Sequence, residues 1–322
     1  MNKREMLLQR QGWADALIEL GTKDPRVVVL DADLAKSTLT CQFRDKFPKR
    51  FFDMGIAEQN MVNTAGGLSL TGLIPFVTTY GVFVSGRAWE QIRTSVCYGK
   101  LNVKFGGAHG GISVGPDGAT HQALEEISIM RVLPEMTVLV PADYHETKKA
   151  VLASASIDGP VYIRFGRKKT PVVTAKDTPF EVGKAIIMKQ GTDLTIIACG
   201  TMVASALDTA ERLEKEGVSA EVINLHTIKP IDRDAIVSSV RKTGCLVTAE
   251  EHQLAGGMGS AVLEVLAEEM PVPVERVGIR DTFGESGTPQ ELMEKYGITS
   301  KEIFEKAHSA LSRKKIDIRS LS

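Results

Sequence analysis

Short apolar runs and longer stretches of helical periodicity alternate along most of the chain. Residues 7–20 carry Trp13, Ala16, Leu17 and Leu20 at helical spacing, with Gly21 placed to cap them. The continuous run Arg26-Val27-Val28-Val29-Leu30 predicts a buried strand, and Asp31-Ala32-Asp33-Leu34 follows at its carboxyl end. Phe51 and Phe52 read as the next strand, Gly55 as a turn, and Ala57 onward as a helix with Glu58 in its first turn. Further strands are predicted at 73–79, 101–105, 137–140 and 161–165, the third stopped by Pro141. Helices over 87–98, 121–131 and 143–155 separate them, the first turning Trp89 and Ile92 inward. Such alternation predicts an α/β fold in which a parallel sheet is covered on both faces.

The rhythm lapses from Gly166 to Pro179, around Lys168-Lys169-Thr170-Pro171 and Lys176-Asp177-Thr178-Pro179. We read 167–180 as a linker between a first domain over 1–166 and a second over 181–322. The second domain repeats the α/β rhythm, with strands near 194–199, 220–224, 244–249 and 274–277 and helices over 202–215, 258–269 and 300–311. The fold class expected is therefore two doubly wound open-sheet domains. Length agrees: 322 residues exceed a typical single domain and suit two of roughly 150, each with its own core. No internal repeat or low-complexity segment is visible, and the basic Arg313-Lys314-Lys315 reads as a solvated end.

Composition narrows the partners. A formal net charge of -1 offers no field for nucleic acid or an anionic membrane, so neither is expected. Cys41, Cys97, Cys199 and Cys245 are scattered without metal-ligand spacing, which fits a reducing cytoplasm and predicts no metal site on this chain. No long apolar segment follows the basic residues near Met1, and the apolar run at 194–207 is broken by Gly200, so neither a secretory leader nor a membrane span is expected. The chain reads as a soluble, cytoplasmic protein.

Two stretches carry candidate chemistry. Asp53-Met54-Gly55-Ile56-Ala57-Glu58-Gln59-Asn60-Met61 puts a carboxylate at a helix start, where the helix dipole favours a glutamate whether or not it does chemistry. Residues 106–122, Gly-Gly-Ala-His-Gly-Gly-Ile-Ser-Val-Gly-Pro-Asp-Gly-Ala-Thr-His-Gln, hold His109, Asp117 and His121 in a stretch too rich in glycine for a helix or a central strand. Taken alone, that loop could equally be a surface turn in which Asp117 fixes its own backbone.

Together the two stretches resemble the pyrimidine-binding half of the thiamine-diphosphate-dependent transketolase family. The strings 249–259 and 281–287 resemble that family's C-terminal domain. The resemblance implies that Glu58 hydrogen-bonds the cofactor's pyrimidine nitrogen and promotes removal of the thiazolium proton. It further implies that His109, Asp117 and His121 contact the hydroxyls and carbonyl of a sugar donor. Phe83 or Tyr80 would stack on the pyrimidine, with Leu34 and Asp33 against the cofactor. Arg164, Arg10 and Ser37 would bind substrate phosphate, and the loop's glycines would let backbone approach the ligand.

The family's Gly-Asp-Gly motif, which holds Mg²⁺ and the diphosphate, has no counterpart in this sequence. The resemblance therefore implies a split transketolase, with this chain as the C-terminal subunit and an N-terminal subunit supplying the metal ligands, in an α2β2 assembly. Its substrates would be ketose and aldose phosphates, as in the pentose phosphate pathway. Rival readings are the β subunit of a 2-oxo-acid dehydrogenase E1 component, a fragment resembling 1-deoxyxylulose-5-phosphate synthase, and a non-catalytic assembly subunit.

Overall fold

The computed structural model describes residues 4–314; Met1 and Lys315, named in the expectations above for the two chain ends, lie outside that range. Seven strands form the first sheet, in the order Thr227–Lys229, Thr137–Leu139, Val161–Phe165, Lys104–Ala108, Ile74–Tyr80, Val27–Asp31 and Phe51–Asp53. All neighbours are parallel except the first pair. A five-stranded sheet follows, ordered Val274–Ile279, Leu246–Gln253, Leu194–Ala198, Ala220–Asn224 and Ile186–Lys189, antiparallel only at the last pair. The sequence is thus a mixed α/β chain built on two largely parallel sheets, as its rhythm predicts.

The two halves are stitched together more closely than a plain linker would require. Thr227–Lys229 leaves the second half to pair with Thr137–Leu139 at the edge of the first sheet. Within the stretch read as linker, Lys169–Pro171 pairs antiparallel with Met6–Leu8. Asp143 caps the helix Tyr144–Ser154 by accepting from the Glu146 N–H, and its other oxygen accepts from the Val173 and Thr174 N–H groups. One carboxylate thereby fixes both a helix start and the path of the connection.

Three elements differ from the periodic reading, each for a local reason. The helix expected over 87–98 starts earlier and is broken: Gly81–Arg87 ends where that reading begins it, Trp89–Gln91 and a wider turn Ile92–Cys97 follow, and Trp89 spends its indole N–H on the Ile129 carbonyl at 2.8 Å. The strand read at 101–105 instead occupies Lys104–Ala108, so Gly106 and Gly107 lie in a central strand. A Cβ on Gly106 would lie 2.5 Å from Trp13, and one on Gly107 2.1 Å from the Tyr162 hydroxyl. Large aromatics on both faces, rather than loop formation, explain those glycines. The helix expected from 121 begins at Glu126, because the preceding residues turn back, the His121 and Gln122 N–H groups donating to the Gly118 carbonyl.

Trp13, fully buried, stacks on Phe165 at 5.1 Å and meets Phe76 edge-on at 6.0 Å, anchoring the helix Gln9–Lys23 to one face of the first sheet. Truncating such a core aromatic costs about 3–5 kcal/mol. Among the described residues no helix is long and apolar enough to cross a membrane. The carboxyl ends of Val27–Asp31, Ile74–Tyr80 and Lys104–Ala108 lie side by side, and the loops leaving them share one edge of the sheet. That edge is where open α/β sheets bind ligands.

Candidate active site

A cleft of about 430 Å³ opens at this edge, lined by Asp33, Leu34, Ile56, Glu58, Tyr80, Phe83, Arg87, Asp117, Thr120 and His121, with Ala32 at its base. Residues far apart in sequence are gathered because each lies at, or in the segment leaving, the carboxyl end of one of the first sheet's parallel strands.

Asp31 organises the first wall. It is fully buried, and its carboxylate accepts from the Leu34 N–H at 2.6 Å and from the hydroxyls of Thr38 and Thr40 at 3.1 and 2.7 Å. Burial pushes its pKa up to about 6 against the pull of those three donors. The turn it holds presents Leu34 to the cleft and sets Asp33 at φ +61°, a left-handed conformation uncommon outside glycine. The Asp33 N–H donates to Asp53 Oδ1 at 3.1 Å, linking this turn to the segment before Glu58.

Glu58 is the first residue of the helix Glu58–Leu70 and is 3% exposed. Its carboxylate accepts from Thr79 Oγ1 at 3.4 Å and from Arg87 Nη1 at 3.3 and 3.2 Å. The Arg87 guanidinium also lies 4.0 Å above the Phe83 ring. Nothing in the sequence reading singled out Arg87. Its one signal was position, four residues after Phe83, which puts both on one side of a helix.

An aromatic cluster forms the next wall. Tyr80 and Phe83 are stacked at 5.7 Å, His109 lies 4.3 Å from Tyr80, and His121 meets both Tyr80 and Phe83 edge-on. His109 is 1% exposed, has φ +58°, and neither ring nitrogen has a hydrogen-bond partner of ordinary geometry. Burial, reinforced by the charges of Arg167 and Arg10, pushes its pKa down to about 3, past the opposing effects of Asp117 and the Ser37 carbonyl. A buried neutral imidazole whose nitrogens no protein group meets in ordinary geometry leaves hydrogen-bonding capacity that ordered water or a ligand can take up. His121 pairs through Nδ1 with the Thr120 hydroxyl at 2.9 Å, leaving Nε2 for the cleft.

Positive charge gathers beside His109. Arg10 donates to the Ser37 carbonyl at 2.8 Å, so Ser37 enters through its backbone. Burial and the nearby Arg167 both pull the pKa of Arg10 below its ordinary value. Arg167 in turn pairs with Asp117 at 2.9 Å and donates to the Val114 carbonyl at 3.1 Å. Two guanidinium groups held near one another form a ready seat for an anion.

Arg164 is not part of this seat, and its expected place there is corrected. It lies inside the buried strand Val161–Phe165, 5% exposed, in an ion pair with Glu126, and donates to the Glu251 carbonyl at 2.7 Å. Burial opposes its charge, but Glu126 and Glu251 more than offset that and raise its pKa. Arg167, two residues beyond the strand's end, is the arginine that emerges at the ligand edge. The signal lay in Ile163-Arg164-Phe165-Gly166-Arg167: an arginine within an all-buried strand needs a buried partner, whereas one past its end is free to face a site.

Thiamine diphosphate fits the residues present as far as its pyrimidine end is concerned. Flat aromatic walls at Tyr80 and Phe83 stand beside a nearly buried carboxylate at Glu58, with the apolar Leu34 alongside.

Comparison with known proteins bears on the identity of this arrangement. The family profile described as transketolase, pyrimidine binding domain, matches residues 6–172, and that of the transketolase C-terminal domain matches residues 183–303. The solved structure of a split-gene transketolase, an inactive β4 tetramer, superposes with a TM-score of 0.90 at 52% identity, covering 96% of this chain and 100% of that one. The 6-deoxy-6-sulfo-D-fructose transketolase subunit SqwH of Clostridium sp. (strain MSTE9) is 44% identical over 305 residues, 95% of either chain. One of the subunits of the apulose-4-phosphate transketolase of Phocaeicola vulgatus is 36% identical over 303 residues, 94% of this chain and 97% of that one.

Proposed function

Because the chain belongs to the transketolase family, we propose that it is the C-terminal subunit of a split transketolase that transfers a two-carbon ketol unit between sugar phosphates. A separate N-terminal subunit would supply the domain that holds Mg²⁺ and the diphosphate, in an α2β2 assembly in the cytoplasm. The observation that carries the reading is His109: buried, neutral and with neither nitrogen in a hydrogen bond of ordinary geometry, it lies directly behind Tyr80, which lines the cleft together with His121, Asp117 and Glu58. Such a row of hydrogen-bonding groups suits the hydroxyls of a sugar and has no use for a simple oxo acid.

Thiamine diphosphate, when bound, supplies carbanion stabilisation. The protein's part is to hold and move protons and to orient substrate. Glu58 accepts and returns a proton at its carboxylate from a nearly water-free position. His109 and His121 hold the donor's carbonyl and hydroxyl oxygens, Asp117 accepts from a hydroxyl, and Arg10 and Arg167 seat a phosphate. Which sugars serve is a further choice. Two of the similar chains named above are subunits of transketolases for 6-deoxy-6-sulfo-D-fructose and for apulose 4-phosphate, both ketoses, so the part of the ketose away from the transferred ketol unit is the part expected to vary.

The test is ketol transfer from xylulose 5-phosphate to ribose 5-phosphate with thiamine diphosphate and Mg²⁺, for the chain alone and mixed with a diphosphate-domain subunit. Activity only in the mixture is the expected result. A mixture that assembles but transfers nothing from any ketose phosphate, while turning over pyruvate, would replace this reading with one of its oxo-acid or deoxyxylulose-phosphate rivals.

A further inference from the structure

The loop that carries Asp117 and His121 turns back on itself through its own hydrogen bonds, but it is also held from outside. Three of its glycines, expected to make room for a ligand, make room for the second half of the chain. A Cβ on Gly111, at φ +89°, would lie 2.2 Å from Glu251 Oε1. Further along, a Cβ on Gly115 would meet Pro289 at 3.1 Å and one on Gly118 would meet the Ser286 hydroxyl at 2.7 Å. Three glycines of the loop therefore record the close approach of the second half of the chain.

Glu251 is the centre of that approach. It sits near the end of the strand Leu246–Gln253, at the carboxyl edge of the second sheet, and is 2% exposed. Its Oε1 accepts from the Ser113 N–H at 2.6 Å, inside the single turn Ile112–Val114, and its Oε2 accepts from the Thr201 hydroxyl at 2.9 Å. The adjacent Arg164 does not neutralise the carboxylate by a direct side-chain hydrogen bond. It donates to the Glu251 backbone carbonyl and pairs with Glu126, thereby fixing the strand from which the carboxylate reaches across. A second tie runs from the buried Gln122 Nε2 to the Glu285 carbonyl at 2.9 Å. The loop is gripped at 113 and at 122, and Asp117, Thr120 and His121, all facing the cleft, lie between the grips.

We propose that Glu251, contributed by the second sheet, is a positioning residue for the substrate loop, holding residues 111–121 in the shape that turns Asp117 and His121 toward Glu58. The C-terminal half of the chain then has a part in donor binding although none of its residues lines the cleft. The kinetic arm of this inference rests on the ketol-transfer reading; its structural arm does not.

The structural arm is hydrogen exchange on the full chain alone, comparing wild type, Glu251→Ala and Glu251→Gln. Loss of a charge-assisted bond to a buried N–H predicts exchange across 111–121 faster by about tenfold or more in the alanine variant, with the strand Leu194–Ala198 unchanged. Glutamine keeps an acceptor for the Ser113 N–H and is expected to restore most of the protection. In the assembled enzyme the alanine variant should raise the donor KM by a similar factor while thiamine diphosphate titrates as in wild type. Wild-type exchange in the loop overturns the proposal. So does an alanine variant that fails to fold or that loosens both sheets alike, since Glu251 would then serve the fold and not the loop. If no mixture transfers ketol units, the function falls, and the exchange result still decides the role of Glu251.

Discussion

Arg87 and Glu58 form an ion pair in the wall of the cleft, 3.2 Å between Nη1 and Oε2, in which the carboxylate is 3% exposed and the arginine side chain 49%. Water screens the pair from the arginine side, so its contribution to stability is about 1 kcal/mol or less. On the proposed function the chief use of the buried carboxylate lies in the cleft. Glu58→Ala should leave urea unfolding within about 1 kcal/mol of wild type and lower ketol transfer by about 10²–10⁴-fold, the range for removing a proton-transfer group. Near-normal turnover in an intact assembly would dispose of that role.

Asp117 and Arg167 give a second prediction. Their 2.9 Å contact ties the middle of the substrate loop to the end of the strand Val161–Phe165. Asp117→Ala removes a hydroxyl acceptor and frees Arg167, so the donor KM should rise by about tenfold with little change in cofactor affinity. Equal losses in titrations of donor and cofactor would show that the loop shapes the whole cleft instead.

The two arginines flanking that strand end should part company under mutation. Arg164→Ala leaves Glu126 buried without its cation, a change that costs about 3–5 kcal/mol and should be plain in urea unfolding. Arg167→Ala removes a side chain that is 32% exposed, so stability should shift by about 1 kcal/mol at most while use of phosphorylated substrates falls. The opposite pattern would return Arg164 to the phosphate seat.

Much of the site is legible in the sequence alone, and the residues that are not share a cause. Glu58, Asp33, Leu34, Tyr80, Phe83, Asp117 and His121 follow strands or open helices, where local sequence marks the end of an element, and they converge on one cleft. Arg87 and Glu251 act across the fold on partners 29 and 138 residues away, and no periodicity reports such a distance. Gly106 and Gly107 misled for the same reason: glycine in a strand reads as a breaker until Trp13 and Tyr162 are seen filling its place. The edge strand Thr227–Lys229 was equally hidden, since three residues carry too little pattern to show which sheet they join.

The state of His109 can be tested without substrate. Free in the unfolded chain, the ring takes a proton near its ordinary pKa of about 6.5. In the fold, burial and the charges of Arg167 and Arg10 lower that to about 3. Between the two values the unfolded chain binds more protons, so the contribution of the neutral ring is fully present above about pH 6.5 and is lost as pH falls toward 3. His109→Asn has no such titration. The stability difference between wild type and this variant should therefore shrink steadily as urea unfolding is repeated from pH 7 down to pH 4. A difference independent of pH would mean that water reaches the ring and that its nitrogens are already partnered. If the difference does shrink, the imidazole is neutral wherever the enzyme works, and it can meet a sugar only as a hydrogen-bonding group, never as a cation.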